Sequence, residues 1–207
     1  MFFFKNIHRF KSKLLGYNTS IKLDKNIFFG DKLTNLYFEN KLKKSRFYFE
    51  YGSGASTILA DKLDKKFMSL ELDKSYYKYI LKILKKKNII YFNIGPVGEY
   101  SYPLLKNKKI IKNYIETIDK YFRKKMYPDF ILIDGRFRVA CCLNLLKFIN
   151  KKKFNSIILL DDFHKRTYYY VLKEYFYLKI VGRMALLLRQ KKKFDKRVFN
   201  HYLNDPR

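Results

Sequence analysis

Five short runs of the chain, residues 46–51, 66–71, 89–94, 129–134 and 156–161, are β-branched or aromatic and almost free of internal polar side chains. Such runs do not alternate apolar with polar, so they predict strands of a parallel sheet covered on both faces. Between and after them, residues 56–63, 74–85, 110–124, 139–150 and 165–175 predict helices. Two last pieces, 178–181 and 184–189, are short enough to be closing strands. Strand and helix thus alternate five times, which predicts an α/β fold with a Rossmann-like, doubly wound, mostly parallel sheet. Residues 1–44 read as an N-terminal extension of mixed short elements, 45–190 as the domain, and 191–207 as a basic, peripheral tail.

Length and composition set the scale of that domain. The chain has 207 residues, 48% of them hydrophobic and 19% aromatic, enough for one sizeable core. Its net charge of +28 would ordinarily point to nucleic acid or an anionic membrane. However, Lys is enriched together with Asn, Ile, Phe and Tyr while Trp is absent, the pattern of codons drawn from an AT-rich genome. A lysine-coated, solvated surface is therefore favoured over a dedicated nucleic-acid face.

Cys141 and Cys142 are neighbours in an apolar run, with no disulfide framework and no zinc-ligand spacing, which fits a reducing cytoplasm. The opening MFFFKNIHRFKSKLLGY is interrupted by Lys5, His8, Arg9 and Lys11 before a secretion signal can form. Packing on the domain is its expected fate, with weak contact to a membrane surface as the alternative. No apolar stretch reaches the roughly 18 to 20 residues of a spanning helix, so no transmembrane segment is expected.

The chemistry gathers at the carboxyl ends of the expected strands, where doubly wound sheets bind ligands. The first strand ends in FYFEYGSGAST, 47–57, a strand, a glycine turn and a helix start. Glycine allows a tight turn and close backbone approach to a ligand, and free N–H groups at the helix start favour an anion. The second strand ends in SLELD, and Glu71 follows Gly52 at about the 20-residue offset of an acid that binds a ribose diol. That offset serves S-adenosyl-L-methionine (SAM) or NAD. A third glycine is missing from GxGxxG, its place taken by Thr57, and Glu50 precedes the turn; both features favour SAM.

The third strand leads into NIGPVGEYSYP, 93–103, an irregular loop at the same edge with Tyr100 and Tyr102 beside Glu99. Strand four delivers Asp134, Arg136 and Arg138, and strand five delivers Asp161, Asp162, His164, Lys165 and Arg166. Three converging carboxylates would repel one another, so either arginines or a divalent cation must neutralise them.

Together EYGSGAST, SLELD, DGRFR and LLDDF resemble the class I SAM-dependent methyltransferases over residues 45–190. GPVGE followed by DGRFRVA resembles a group of largely uncharacterised bacterial methyltransferase-like proteins. The resemblance implies that the two closing strands form an antiparallel hairpin. It also implies a SAM site in which Gly52 and Gly54, with Ser53, Ser56 and Thr57 around them, wrap the methionine part. Glu50 would anchor that loop, Glu71 would bind the ribose, and Asp134 would lie at the cofactor. Asp134, Asp161 and Asp162 resemble the magnesium ligands of catechol-type O-methyltransferases, implying Mg2+ as a second cofactor. Those enzymes place a lysine base three residues after the first metal aspartate, where this chain has Phe137, so His164 becomes the candidate base beside Asp134 and Asp161.

The expected activity is O-directed methyl transfer in the cytoplasm to a small polar or sugar-like hydroxyl, a small molecule or glycan. Two alternatives stand beside it. One makes RNA the acceptor, on the strength of the positive charge alone. The other is a non-catalytic methyltransferase-like module that binds a partner or glycan.

Overall fold

The computed structural model of the protein describes residues 29–149 and 154–207. Expectations for the first 17 residues, including membrane contact, lie outside the described residues. Among those described, no helix is long and apolar enough to cross a membrane.

Seven strands form one sheet: β1 Phe47–Tyr51, β2 Lys66–Glu71, β3 Ile89–Tyr91, β4 Phe130–Ile133, β5 Ile157–Leu160, β6 Phe176–Val181 and β7 Met184–Gln190. Their order is β3-β2-β1-β4-β5-β7-β6, so the chain winds outward from β1 in one direction and from β4 in the other. The pairs among β1 to β5 are parallel, while β7 runs antiparallel to both β5 and β6. The doubly wound sheet and its antiparallel closing hairpin are as the apolar runs and the resemblance predict.

Every residue of β1 and β4 is buried because helices cover both faces. Successive side chains of a strand point to opposite faces, and here they divide between two cores. Phe49, Tyr51, Ile131 and Ile133 join one core with Ile111, Tyr114 and Leu143, from α4 Lys108–Ile115 and α6 Arg138–Leu145. Tyr48, Phe130 and Leu132 join the other with Phe38, Ile58 and Ile80, from α1 Lys32–Lys44, α2 Ala55–Lys62 and α3 Lys74–Ile83. In α1, Thr34, Phe38 and Leu42 recur every fourth residue and are its buried stripe.

The helix expected over 110–124 divides into α4, a 3₁₀ turn Glu116–Ile118 and α5 Asp119–Arg123. The helix expected over 165–175 is a 3₁₀ turn Thr167–Tyr169 followed by the single turn α7 Leu172–Tyr175. The basic tail is not peripheral. It forms α8 Lys196–Tyr202, capped by Asp195, with Phe199 and Leu203 buried against the core that α6 also lines. Beyond it, the Pro206 and Arg207 carbonyls accept the N–H groups of Phe137 and Arg138 at 3.1 and 2.9 Å, which ties residues 206–207 to the start of α6.

Candidate functional site

The reversal of strand order between β1 and β4 parts the connections at the sheet's carboxyl edge, where a crevice opens. Gly52 and Gly135, just past these two strands, meet back to back. A Cβ on Gly52 would stand 2.9 Å from the Gly135 Cα, and Gly52 has φ +92°, a conformation that side chains disfavour. Gly54 is different: its φ of 174° is extended, and a Cβ there would make an ordinary 3.5 Å contact with the Tyr76 hydroxyl.

Beneath the turn, Glu50 is fully buried. Its carboxylate accepts the Tyr48 hydroxyl at 2.6 Å, the Ser56 hydroxyl at 2.7 Å and the Thr57 hydroxyl. Thr57 Oγ1 also accepts the Gly54 N–H at 3.0 Å, joining the turn to the first residues of α2. Burial holds the Glu50 carboxyl above its ordinary value, against the pull of these hydroxyl donors. Glu50, Ser56 and Thr57 therefore form the foundation of the turn, while Gly52 and Ser53 line the cavity above it.

At the end of β2, Glu71 joins two loops. Its Oε2 accepts the Ser53 N–H at 3.2 Å and the Ser53 hydroxyl, and its Oε1 accepts the Leu72 and Asp73 N–H groups at 2.8 and 2.9 Å and the Ser101 hydroxyl at 3.1 Å. Ser101 belongs to the loop after β3, where Val97 bridges Pro103 and the Gly98 N–H donates to the Tyr102 carbonyl at 2.7 Å. Tyr100 and Ser101 sit at φ 52° and 60° at the tip of this loop, the left-handed region, and Tyr100 is 84% exposed.

The three aspartates are matched by three arginines. Arg138 Nη2 pairs with Asp134 at 2.9 Å, and Arg138 also donates to the Asp134, Gly135 and Asp161 carbonyls. Asp161 is fully buried and receives a two-pronged contact from Arg183, which also reaches Asp162 at 3.1 Å. Asp162 is paired with Arg166 at 2.7 Å. Among the described residues no group of three or more His, Cys, Asp or Glu side chains could hold a metal ion. The residues expected to hold Mg2+, Asp134, Asp161 and Asp162, are met here by the guanidinium groups of Arg138, Arg183 and Arg166.

His164 stands apart from these residues. Its side chain is exposed and outside the cavity lining, and its backbone N–H donates to the Arg183 carbonyl at 3.0 Å. Asp161 also falls outside the lining, enclosed below Arg183. Asp134 remains in the wall, with its side chain 34% exposed. Burial raises its carboxyl well above the ordinary value, Arg138 opposes this, and the nearby Asp161 and Asp162 charges add to it.

The cavity enclosed by these elements measures about 960 Å³. Gly52, Ser53, Glu71, Asp73 and Tyr76 line it, and so do Tyr102, Arg136, Tyr168, Tyr169, Arg183 and Arg207. The Tyr114 hydroxyl is buried in the wall, close to the Arg136 backbone N–H. Sequence reasoning missed Arg183, which the two-residue turn between β6 and β7 carries to the site, and Arg207, which the returning tail supplies. It also missed Tyr168 and Tyr169, which stand in a stretch expected to be helix.

Several solved structures are similar to this chain. A methyltransferase-like protein from Silicibacter pomeroyi superposes with a TM-score of 0.73 at 23% identity, covering 87% of this chain and 98% of its own. An O-methyltransferase from Bacillus cereus, crystallised with S-adenosylhomocysteine, superposes with a TM-score of 0.49 at 10% identity, covering 87% and 91%. No protein-family model and no curated protein matches the sequence. The first likeness shows the fold: a doubly wound, mostly parallel α/β sheet of the kind found in class I methyltransferases.

Proposed function

We propose that the chain is a SAM-dependent methyltransferase that acts on a hydroxyl of a small polar or sugar-like acceptor in a reducing cytoplasm. One observation carries the reading: a single cavity at the switch point between β1 and β4 brings together the Gly52 turn, Glu71 and Asp134. The residues fit the cofactor. A ribose diol offers Glu71 the same kind of O–H donor that it takes from Ser53 and Ser101.

When bound, SAM supplies an electrophilic methyl group on a sulfonium centre. The chain's own contribution is placement, because holding two reactants in near-attack geometry removes much of a bimolecular barrier. Gly52 and Ser53 shape one end of the cavity, Glu71 fixes orientation, and the loop carrying Tyr100 and Tyr102 limits water. Asp134 is the group placed to accept the acceptor's hydroxyl proton. A carboxyl whose pKa is raised is a better general base than an ordinary one, and that of Asp134 is raised, burial being the largest cause. The arginine-matched aspartates leave no step that requires a metal.

The test is thermal unfolding with S-adenosylhomocysteine, with NAD and with buffer alone. Ligand at 100 times its dissociation constant adds about 2.7 kcal/mol. That corresponds to a rise of roughly 5 to 11 °C for a chain of this size. A rise with S-adenosylhomocysteine alone supports the reading; no rise with it overturns it.

A further inference from the structure

Five arginines line the cavity, and four of them have a carboxylate partner: Arg138 with Asp134, Arg166 with Asp162, Arg183 with Asp161 and Arg207 with Asp205. The fifth, Arg136, has none among the described residues. Its Nε donates to the Tyr100 carbonyl at 2.7 Å, and its guanidinium lies 5.9 Å from the centre of the Tyr102 ring. Its two Nη groups have no protein hydrogen-bond acceptor among the described residues. An isolated cation partly removed from water is costly unless a counter-charge answers it.

The surroundings of Arg136 are specific as well as positive. Tyr102 lies beside it. Across the cavity the Arg207 guanidinium sits 4.7 Å from the centre of the Tyr168 ring, and Arg166 Nη1 donates to the Tyr168 hydroxyl at 2.8 Å. Guanidinium groups and tyrosine rings thus stand together in the cavity wall, with Asp134 and Asp162 paired to Arg138 and Arg166. Guanidinium presents a rigid fork of donors that matches a carboxylate or phosphate with two parallel hydrogen bonds, and tyrosine rings offer flat faces to a ring-shaped ligand. Burial and the proximity of Arg138 lower the Arg136 pKa, against the pull of Tyr169, Tyr114 and Asp134.

We infer that Arg136 is an acceptor-binding residue and that the acceptor is anionic: a small hydroxyl compound carrying a carboxylate or phosphate group that seats on the Arg136 Nη groups. The methyl-transfer part of this statement rests on the function proposed above; the anion contact does not. The Nε bond to Tyr100 fixes the guanidinium plane before the ligand arrives, which limits the entropy lost on binding.

The experiment is calorimetric titration with D-glucuronate, D-glucose 6-phosphate and neutral D-glucose, each with and without saturating S-adenosylhomocysteine. One of the two anions is expected to bind at least ten-fold more tightly than glucose, and which one it is distinguishes carboxylate from phosphate. Arg136→Gln is expected to weaken that anion at least ten-fold and Arg136→Lys to weaken it less, with both variants melting near the wild type. Equal or absent binding of charged and neutral probes overturns the inference. An Arg136→Gln protein that keeps its anion affinity but loses S-adenosylhomocysteine also overturns it, by assigning Arg136 to the cofactor. Anion binding that depends on Arg136 in a protein that never binds S-adenosylhomocysteine upholds the anion site and defeats the proposed function.

Discussion

Gly52 and Gly135 hold the turn after β1 and the turn after β4 in contact: a Cβ built on either would come within 2.9 Å of the other's backbone. For Gly135 the crowding is greater still, since its Cβ would also stand 2.6 Å from the Tyr114 hydroxyl. The floor of the cavity is therefore a close backbone contact that tolerates no side chain.

Gly52→Ala combines that clash with a positive φ, so a loss of roughly 1 to 3 kcal/mol is expected. This corresponds to a fall in melting temperature of at least several degrees. Affinity for S-adenosylhomocysteine should fall with it. Gly54→Ala, which meets only an ordinary contact, should fall much less; equal losses at the two glycines would contradict the geometry.

Asp134→Asn should lower the rate of methyl transfer by about 10² to 10⁴, the usual contribution of a general base. Binding of S-adenosylhomocysteine should survive. The sign of the pH dependence follows from the raised carboxyl: the base acts when deprotonated, so the wild-type rate should climb with pH through a value above the ordinary aspartate range. A rate that is flat across mildly acidic pH would argue against Asp134.

Glu50 gives a stability test with a definite sign. Because its folded-state value is raised, the folded chain holds the Glu50 proton more tightly than the unfolded chain does. That contribution is complete below the ordinary glutamate range and is lost as pH rises through the raised value. Melting temperature plotted against pH should therefore fall less steeply in Glu50→Gln than in the wild type. Glu50→Ala strands the Tyr48, Ser56 and Thr57 hydroxyls, each a buried group that costs about 1 to 3 kcal/mol when unsatisfied.

Arg183→Met leaves the buried Asp161 without its guanidinium. Breaking a fully buried pair costs about 3 to 5 kcal/mol. Arg183 keeps 35% of its side-chain surface, so a smaller loss is expected. Replacing both partners, in Asp161→Leu with Arg183→Met, should recover much of it. A double variant as unstable as the sum of the singles would show that the pair is not coupled.

Chelation with EDTA, followed by added Mg2+, should leave both melting temperature and methyl transfer unchanged, because the aspartate oxygens are already engaged by Arg138, Arg166 and Arg183. A magnesium-dependent rate would overturn the arginine assignment.

The sheet was legible in the sequence because buried parallel strands must be apolar throughout, and runs such as FILI and IILL carry that requirement in a few consecutive letters. The acids at the strand ends were legible for the same reason, since they stand where an apolar run stops. What the chain does not display locally is pairing across distance. Arg183 belongs to a hairpin turn, and only the antiparallel pairing of β6 and β7 brings it over Asp161. A cluster of carboxylates looks the same in a sequence whether a cation or a guanidinium answers it, and here Arg183 answers Asp161. His164 looked chemical by residue type, yet the turn after β5 directs it to solvent. Tyr168 and Tyr169 were hidden in a run whose apolar spacing suits a helix but whose backbone makes a 3₁₀ turn.

The attachment of residues 206–207 to the start of α6 has a genetic consequence. A lesion that removes residues 206 and 207 would uncover the N–H groups of Phe137 and Arg138 and take one arginine from the cavity wall. Such a lesion would therefore behave as an allele of the site.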